Sequence, residues 1–410
     1  MSVFYKINKC RICGSKKLKN IIDLKKQYIQ GSFIKKNNPK PYLKKIPLSV
    51  MLCENCTLAQ LSHTVNKEIL YKNYWYESGI NLTMQNHLKE ITKIGSNLIK
   101  KNDNISVLDI GCNDGTLLNF YPKKFKKYGI DPSQIIKKIN KKKVNEINNF
   151  FPPQKKNLLL NLKFDLITSI AMFYDLQNPN IFVKKIKTHL KDNGVWIFEL
   201  SYLIDMLKLN SFDTICHEHL EYYSLKTIKY IFDKVGFKII DLEFNDINGG
   251  SFALTVSKKK SKYPEYSKIV DWLLAKEEKY KYNSPITHLK FFKSIKRHKK
   301  ILQDLLLNLI DMKKKVIGYG ASTKGNVILQ YCNLTSKDIK FIVDVNKDKN
   351  NKYTPGSLIK ITSEKEIKKY NPDYMLVLPW HFKNFILQKE KSYLNQGGKL
   401  IFPLPDIEIV

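Results

Sequence analysis

One stretch constrains the fold more than any other. From Ser106 to Leu118 the chain reads Ser-Val-Leu-Asp-Ile-Gly-Cys-Asn-Asp-Gly-Thr-Leu-Leu. Its first five residues form a short apolar run that predicts a strand buried on both faces of a parallel sheet. Asp109, Gly111, Asn113, Asp114 and Gly115 interrupt the run, and Thr116 onward resumes apolar residues at helical spacing. Strand, tight glycine turn and helix make the opening unit of a nucleotide-binding α/β domain. Gly111 and Gly115 let backbone approach a ligand where a Cβ would collide.

A second acid follows at a matching distance. Lys127 to Pro132 predicts another strand, ending in Asp131, 20 positions beyond Gly111. A carboxylate there is placed to accept hydrogen bonds from ribose hydroxyls. The turn is neither G-x-G-x-x-G nor a Walker lysine loop. With its D-I-G-x-x-D-G pattern the stretch resembles the S-adenosylmethionine site of a class I methyltransferase. The resemblance implies that Asp109, Gly111, Asn113, Asp114, Gly115 and Asp131 hold that donor. The competing reading is a Rossmann-like unit that binds another ligand or none.

At 410 residues the chain is too long for one core, so two or three domains are expected. No apolar run approaches a membrane span and the N-terminal residues lack a signal-peptide core, so a cytoplasmic enzyme is expected, with no membrane partner. The net charge of +34 suggests nucleic acid. Yet only Arg11 and Arg297 are arginines among 71 basic residues, and the lysines are spread along the whole chain. Base readout and bidentate phosphate clamps favour arginine. The charge therefore reads as a solvated surface, with no nucleic-acid partner, though it would favour anionic substrates such as nucleotide diphosphates.

Four of the seven cysteines are paired by spacing: Cys10 with Cys13, and Cys53 with Cys56. Two C-x-x-C knuckles let four thiolates close a tetrahedron around Zn²⁺, and no open ligand position is suggested, so a structural zinc is expected. In a cytosolic protein this pattern reads as metal rather than disulfide. The 39 residues between the pairs, with Pro39, Pro41 and Pro47, form an insert hung from the clip. His63 reads as a surface histidine rather than a further ligand.

Leu70 to Gly79 is rich in aromatics for a connector. Two readings stand side by side: packing between domains, or Tyr74 and Tyr76 placed over the active site. Leu82 to Lys101 predicts a helix, and the lysine-rich stretch 137–147 a solvated one. Phe164–Ala171 and Asn193–Leu200 predict further parallel strands, followed by a helix near 224–235. Phe237–Glu243 and Ser251–Val256 fit the antiparallel hairpin that closes a seven-stranded class I sheet. Met172 to Pro179 falls at a strand's C-terminal edge, where open α/β sheets place ligands.

Between the fifth strand and that helix lies Phe212-Asp-Thr-Ile-Cys-His-Glu-His-Leu220. The histidines are two apart, so the zinc-protease spacing is absent. On an extended segment His217 and His219 would point one way and Glu218 the other. A histidine on a loop above the donor is a natural general base, and a purely structural cluster is the alternative.

The two cysteine knuckles, the donor turn, the F-D-T-I-x-H-E-H-L loop and Asn248-Gly-Gly-Ser251 occur in that order. Together they resemble the sugar C-methyltransferase family acting on nucleotide-linked keto-hexoses, and the resemblance covers nearly the whole chain. It implies His219 as the base, with Glu218, the loop tyrosine Tyr222, and Tyr74 and Tyr76 helping to hold the sugar, and His217 as a further candidate. One departure stands out. Better-known members carry tyrosine where this chain has Cys216, which bears on the sugar contacted there; Tyr222 or Tyr223 are the residues able to compensate.

Beyond Tyr263, helical periodicity predicts a bridge to about Lys314. Lys315 to Asn326 then repeats the strand, glycine turn and helix, and strands ending in Asp344, at Pro372–Leu378 and at Lys399–Phe402 make a second small parallel sheet. The resemblance implies a Rossmann-like domain without a dinucleotide, in which Gly320, Ala321, Ser322 and Lys324 line a phosphate-proximal surface; a scaffold turn is the alternative. The expected organisation is a zinc-binding module (1–68), a methyltransferase domain (69–257), a helical bridge (258–314) and a C-terminal Rossmann-like domain (315–410). The expected function is S-adenosylmethionine-dependent C-methyl transfer to a nucleotide-linked keto-sugar. Zinc-containing RNA or other small-molecule methyltransferases are the alternatives, and a non-catalytic scaffold is disfavoured by Asp109, Gly111, Asp131 and His219. The oligomeric state is left open, a monomer being consistent with the sequence.

Overall fold

The computed structural model describes residues 2–35, 44–72, 74–99, 104–153 and 158–410. Pro39, Pro41 and Lys101 lie outside the described residues. Its centre is a seven-stranded sheet. In spatial order the strands are Phe237–Asn245, Ser251–Lys258, Leu190–Ser201, Phe164–Ile170, Ser106–Ile110, Lys126–Ile130 and Asn145–Ile147. All run parallel except Ser251–Lys258, which is antiparallel to both neighbours. The strand order reverses at Ser106–Ile110, which lies between Lys126–Ile130 and Phe164–Ile170. Such a switch point opens a crevice at the carboxyl ends of the strands. The fold is the α/β class I methyltransferase sheet that the sequence predicts.

One stretch differs. Residues 137–147 do not form a helix: a short 3₁₀ turn at Gln134–Lys138 gives way to the edge strand Asn145–Ile147. The lysines offer no apolar stripe to bury, so pairing with Lys126–Ile130 takes the backbone groups instead. Asn145 Nδ2 ties the edge further by donating to the Lys127 carbonyl at 3.2 Å.

The N-terminal cysteine-bearing segment forms a four-stranded antiparallel sheet of Leu18–Gln27, Ile46–Cys53, Ala59–Leu61 and, from far along the chain, Glu221–Tyr222. The histidine-rich loop therefore ends as an edge strand of the sheet that carries the cysteines. Two helices, Ser267–Lys279 and Pro285–Asp311, bridge to the C-terminal part. The longer one begins with proline at its first position, and the Ser284 side chain accepts from Thr287 N–H. A six-stranded sheet follows, ordered Ile361–Thr362, Ile342–Val343, Val316–Tyr319, Tyr374–Val377, Lys399–Phe402, Glu408–Ile409. Only its last strand is antiparallel. No helix among the described residues is long and apolar enough to cross a membrane.

Candidate functional site

The donor turn follows directly from its residues. Gly111, Asn113 and Gly115 all adopt positive φ, at 74°, 53° and 77°. A Cβ on Gly115 would stand 2.8 Å from Ile139, so only glycine fits there. Asp131 pins the turn from the next strand. Its Oδ2 accepts from Asn113 N–H at 3.0 Å, and its Oδ1 accepts from Ser133 N–H at 2.8 Å and Ser133 Oγ at 2.6 Å. A carboxylate offers about four acceptor positions. Three are taken, leaving room for one ribose hydroxyl, or two if the Ser133 hydroxyl turns away. Asp109 accepts from Thr168 Oγ1 at 2.7 Å, and burial pushes its carboxyl up to about 7.

Asn113 and Asp114 do something the sequence did not announce. Asn113 Oδ1 accepts from Ser78 N–H (2.9 Å) and its Nδ2 donates to the Tyr76 carbonyl (2.8 Å). Asp114 Oδ2 accepts from Gly79 N–H at 2.8 Å, while Oδ1 holds Thr116. The aromatic connector is thus strapped across the donor turn by side chains of the turn itself. Of its tyrosines, Tyr76 lies on the donor side, its hydroxyl pushed up to about 12 by burial and then by Asp114. Tyr74 lies on the loop side, its hydroxyl raised by burial and then by Glu218 and Asp175.

The histidine loop is bent rather than extended, and its three ionisable groups go three ways. His217 is buried; its Nδ1 lies 2.9 Å from Gln30 Oε1 and its Nε2 3.3 Å from the Ile46 carbonyl, so both ring nitrogens are engaged by the cysteine-bearing segment. Burial pushes it down to about 4. Glu218 reaches toward Gly31, where a Cβ would come within 2.6 Å of its Oε1, and burial pushes its carboxyl up to about 7. His219 Nδ1 lies 2.8 Å from the Thr214 carbonyl. A carbonyl only accepts, so Nδ1 carries the hydrogen and Nε2 keeps its lone pair. Burial, and then Lys324, push this imidazole down to about 3, so it is neutral. The Tyr174 ring lies 4.3 Å from it, centroid to centroid.

Tyr222 and Tyr223 separate. Tyr222 borders a small cavity that His219 also lines. Tyr223 is fully buried in the core, its ring 5.2 Å from that of Phe173.

Asp175, Glu199 and Trp380 escaped the sequence reading. Asp175 is buried beside Glu218, and both its burial and that neighbour push its carboxyl well up. Its signal was an acid at the carboxyl end of a strand. Glu199, in an otherwise apolar strand, accepts from His87 Nε2 (2.8 Å) and Asn245 Nδ2 (2.7 Å). From the C-terminal part, Trp380 Nε1 donates to Asp213 Oδ2 at 2.8 Å, and Lys324 Nζ donates to the Asn248 carbonyl. Burial lowers the Lys324 ammonium, with Asp213 opposing. Gly320 turns with φ 80°, and a Cβ there would strike Pro379 at 2.6 Å. Asp344, where a dinucleotide ribose would be expected, instead accepts from Ala321 N–H, Asn346 N–H and Lys349 Nζ. Ser322 Oγ caps the next helix by accepting from Gly325 N–H.

The four cysteine sulfurs of Cys10, Cys13, Cys53 and Cys56 lie within 4.8 Å of one another, with Cys10–Cys56 at 3.4 Å and Cys13–Cys53 at 3.5 Å. Zn–S bonds of about 2.3 Å in a tetrahedron put sulfurs about 3.8 Å apart, so the cradle fits Zn²⁺. His63 is outside this set; its Nδ1 pairs with Ser62 Oγ at 2.8 Å.

Three family models match in succession: a zinc binding domain over residues 10–71, a methyltransferase domain over 84–242, and a C-methyltransferase C-terminal domain over 246–405. The chain is 26% identical to the C-methyltransferase NovU of Streptomyces niveus over 408 residues, covering 98% of this chain and 97% of that one. Solved structures include the plantazolicin methyltransferase BpumL with SAH (14% identity, TM-score 0.35, 42% of this chain and 84% of that one). Another is an S-adenosylmethionine-dependent methyltransferase from Clostridium acetobutylicum (16%, TM-score 0.33, 42% and 91%). The chain is an S-adenosylmethionine-dependent methyltransferase that matches, in succession, the models of a zinc binding domain, a methyltransferase domain and a C-methyltransferase C-terminal domain.

Proposed function

We propose that the enzyme methylates a carbon next to the ketone of a nucleotide-linked sugar, with His219 as general base. The observation that carries this reading is the tautomer of His219: with Nδ1–H held by Thr214, a neutral Nε2 lone pair remains for a proton. Bound S-adenosylmethionine supplies an electrophilic methyl group on a sulfonium. Carbon becomes a nucleophile toward it only as a carbanion, and a ketone makes the adjacent C–H acidic enough to give an enolate. His219 Nε2 takes that proton, and hydrogen-bond donors steady the oxyanion that develops. Glu218, a carboxyl held near neutrality by burial, and the hydroxyls of Tyr74 and Tyr76 are the donors assigned here. Asp131, Gly111 and Gly115 receive the donor. Asn113 and Asp114 act on it through the strap they hold. His217 positions the loop, and Lys324 stations the C-terminal domain against it. Four cysteines hold zinc as a structural clip.

The test is mass spectrometry after incubating the enzyme and S-adenosylmethionine with thymidine-, uridine-, guanosine- and cytidine-diphosphate-linked ketohexoses. One member should gain a single methyl bonded to carbon. A methyl gained on oxygen, or gained only by RNA supplied in parallel, overturns the reading.

A further inference from the structure

Glu218 keeps its place without a hydrogen bond from any described residue to its carboxyl. What meets the carboxyl is Gly31. A Cβ there would stand 2.6 Å from Glu218 Oε1, 3.6 Å from Trp75 Nε1 and 3.7 Å from Thr323 Oγ1. The Gly31 backbone is not in the left-handed region, so it is the close approach that requires glycine. Four parts of the chain meet at this point: the cysteine-bearing segment, the aromatic connector, the histidine loop and the C-terminal domain.

Gly31 ends a short finger, Tyr28–Gly31, that follows the strand Leu18–Gln27. The helix Thr323–Tyr331 grips this finger. Thr323, Asn326 and Gln330 are spaced i, i+3 and i+7 and so share one helix face. Gln330 Oε1 accepts from Tyr28 N–H at 2.8 Å, and its Nε2 donates to the Tyr28 carbonyl at 3.1 Å. Asn326 Nδ2 donates to the Gln30 carbonyl at 2.7 Å. All three bonds go to backbone, so they fix the path of the finger whatever side chains it carries. The Gln30 side chain is left for the histidine loop: its Oε1 accepts from His217 N–H at 3.2 Å and lies 2.9 Å from His217 Nδ1. Asn326, Gln30 and His217 are all buried, and the contacts run unbroken from helix to finger to loop.

We propose that the C-terminal helix sets the position of Glu218 through this finger, with Gln330, Asn326 and Gly31 as positioning residues. The proposal rests on Glu218 donating to the sugar. A loosened finger frees the side chain to drift and lets water reach it. Water steadies the anion, so the carboxyl should fall back toward its ordinary 4.5. Glu218 is faced by Tyr174 and Asp175 from the turn after Phe164–Ile170, by Tyr71 and Tyr74 of the connector, and by Cys216 of its own loop. None of these lies on the helix or the finger, so loosening the finger uncovers Glu218 without removing any of them.

Gln330→Met keeps the length of the side chain and removes both bonds to Tyr28. Gln303→Met is the control, because the Gln303 amide donates to the Cys332 carbonyl, just past the same helix, at 2.7 Å. Amide hydrogen exchange over residues 214–220 needs no substrate. It should quicken about tenfold or more in Gln330→Met and stay as in the wild type in Gln303→Met. On the ketohexose that gains the methyl, Gln330→Met should lower kcat/KM about tenfold and move its alkaline limb down by about one pH unit. A merely structural defect lowers the rate and leaves the limb in place. An unmoved limb, or unaltered exchange in the loop, overturns the proposal. Gly31→Ala tests the same contact without touching the hydrogen bonds. Its methyl group displaces the carboxyl, so kcat/KM should fall about tenfold while S-adenosylmethionine binds as before; full activity there overturns the proposal too. An alkaline limb that persists in Glu218→Gln removes Glu218 as the donor, and the proposal with it.

Discussion

The side-chain amide of Asn113 donates to the Tyr76 carbonyl at 2.8 Å while its oxygen accepts from Ser78 N–H, so one turn residue clamps the aromatic strap from both sides. Asn113→Ala leaves two backbone groups of the strap unpartnered, at about 1–3 kcal/mol for each that water does not reach. The strap should then open. Limited proteolysis should cut within residues 74–80 faster than in the wild type, and S-adenosylmethionine should bind about tenfold more weakly or worse. Equal cleavage rates would show that the clamp does not govern the strap.

The donor itself is tested at Asp131. Losing a charge-assisted hydrogen bond to a ribose hydroxyl costs about 1.5–3 kcal/mol, or some ten- to hundredfold in affinity. Asp131→Ala also strips acceptors from Asn113 N–H and Ser133, so the turn relaxes as well. Asp131→Asn keeps part of that support and should show the smaller loss. Isothermal titration measures both, and an unchanged dissociation constant places the ribose elsewhere.

What could be read from the sequence was local. Ser106–Leu118 announces itself because a buried parallel strand, a glycine turn and a helix follow within a few residues, each with its own composition. The four cysteines are legible because metal geometry dictates their spacing. The histidine loop was half legible. Its residue types pointed to proton transfer, but alternation along a strand would have put His217 and His219 on one side. The loop bends because His217 is drawn to Gln30 and Ile46, partners more than 170 residues away. Nothing local to Glu221–Tyr222 says that it pairs with Ala59–Gln60. Nor does the lysine run 137–147 show that its last residues complete a sheet. Asp344 shows in the sequence only as the end of a strand; that Lys349 and the Ala321 N–H occupy it is visible in the fold alone.

That remote pairing makes zinc a support of the active site. Removing it with a strong chelator, or by Cys53→Ser, should reduce the metal content from one ion per chain to none. The sheet carrying Ala59–Leu61 loosens, and with it the Glu221–Tyr222 strand and the end of the histidine loop. Methyl transfer should therefore fall along with thermal stability, and zinc added back to the chelated protein should restore both. Full activity in a metal-free preparation would refute the coupling.

Glu218 gives a pH signature. Burial raises its carboxyl to about 7, above the ordinary value of 4.5. The folded chain therefore holds this proton more tightly than the unfolded chain. Below about 4.5 both states are protonated and the group is neutral to stability; as pH rises toward 7 the folded state is progressively disfavoured, by up to about 3 kcal/mol. If the neutral acid donates to the sugar, kcat/KM should also decline as pH rises through about 7. His219, lowered to about 3, adds no acid limb near neutrality. Glu218→Gln, permanently neutral, should remove the alkaline decline. A profile identical to the wild type's would assign that limb to another group.

The decisive substitution is His219→Gln. If Nε2 takes the α proton, this variant should lose methyl transfer by about 10²–10⁴-fold, the usual range for a general base, while S-adenosylmethionine still binds. The Thr214 carbonyl that now receives Nδ1–H can accept from the glutamine amide, so the loop keeps its anchor and the loss reports chemistry. His217 provides the contrast. Its nitrogens meet Gln30 and the Ile46 carbonyl, so His217→Gln should retain part of the activity and lose chiefly stability. Glu218→Gln should fall between the two, because it orients the acceptor without taking its proton. Rates measured on the verified ketohexose order the three variants. Should His219→Gln turn over at near the wild-type rate, the proton goes elsewhere, and Tyr74, Tyr76 and His217 become the groups to substitute next.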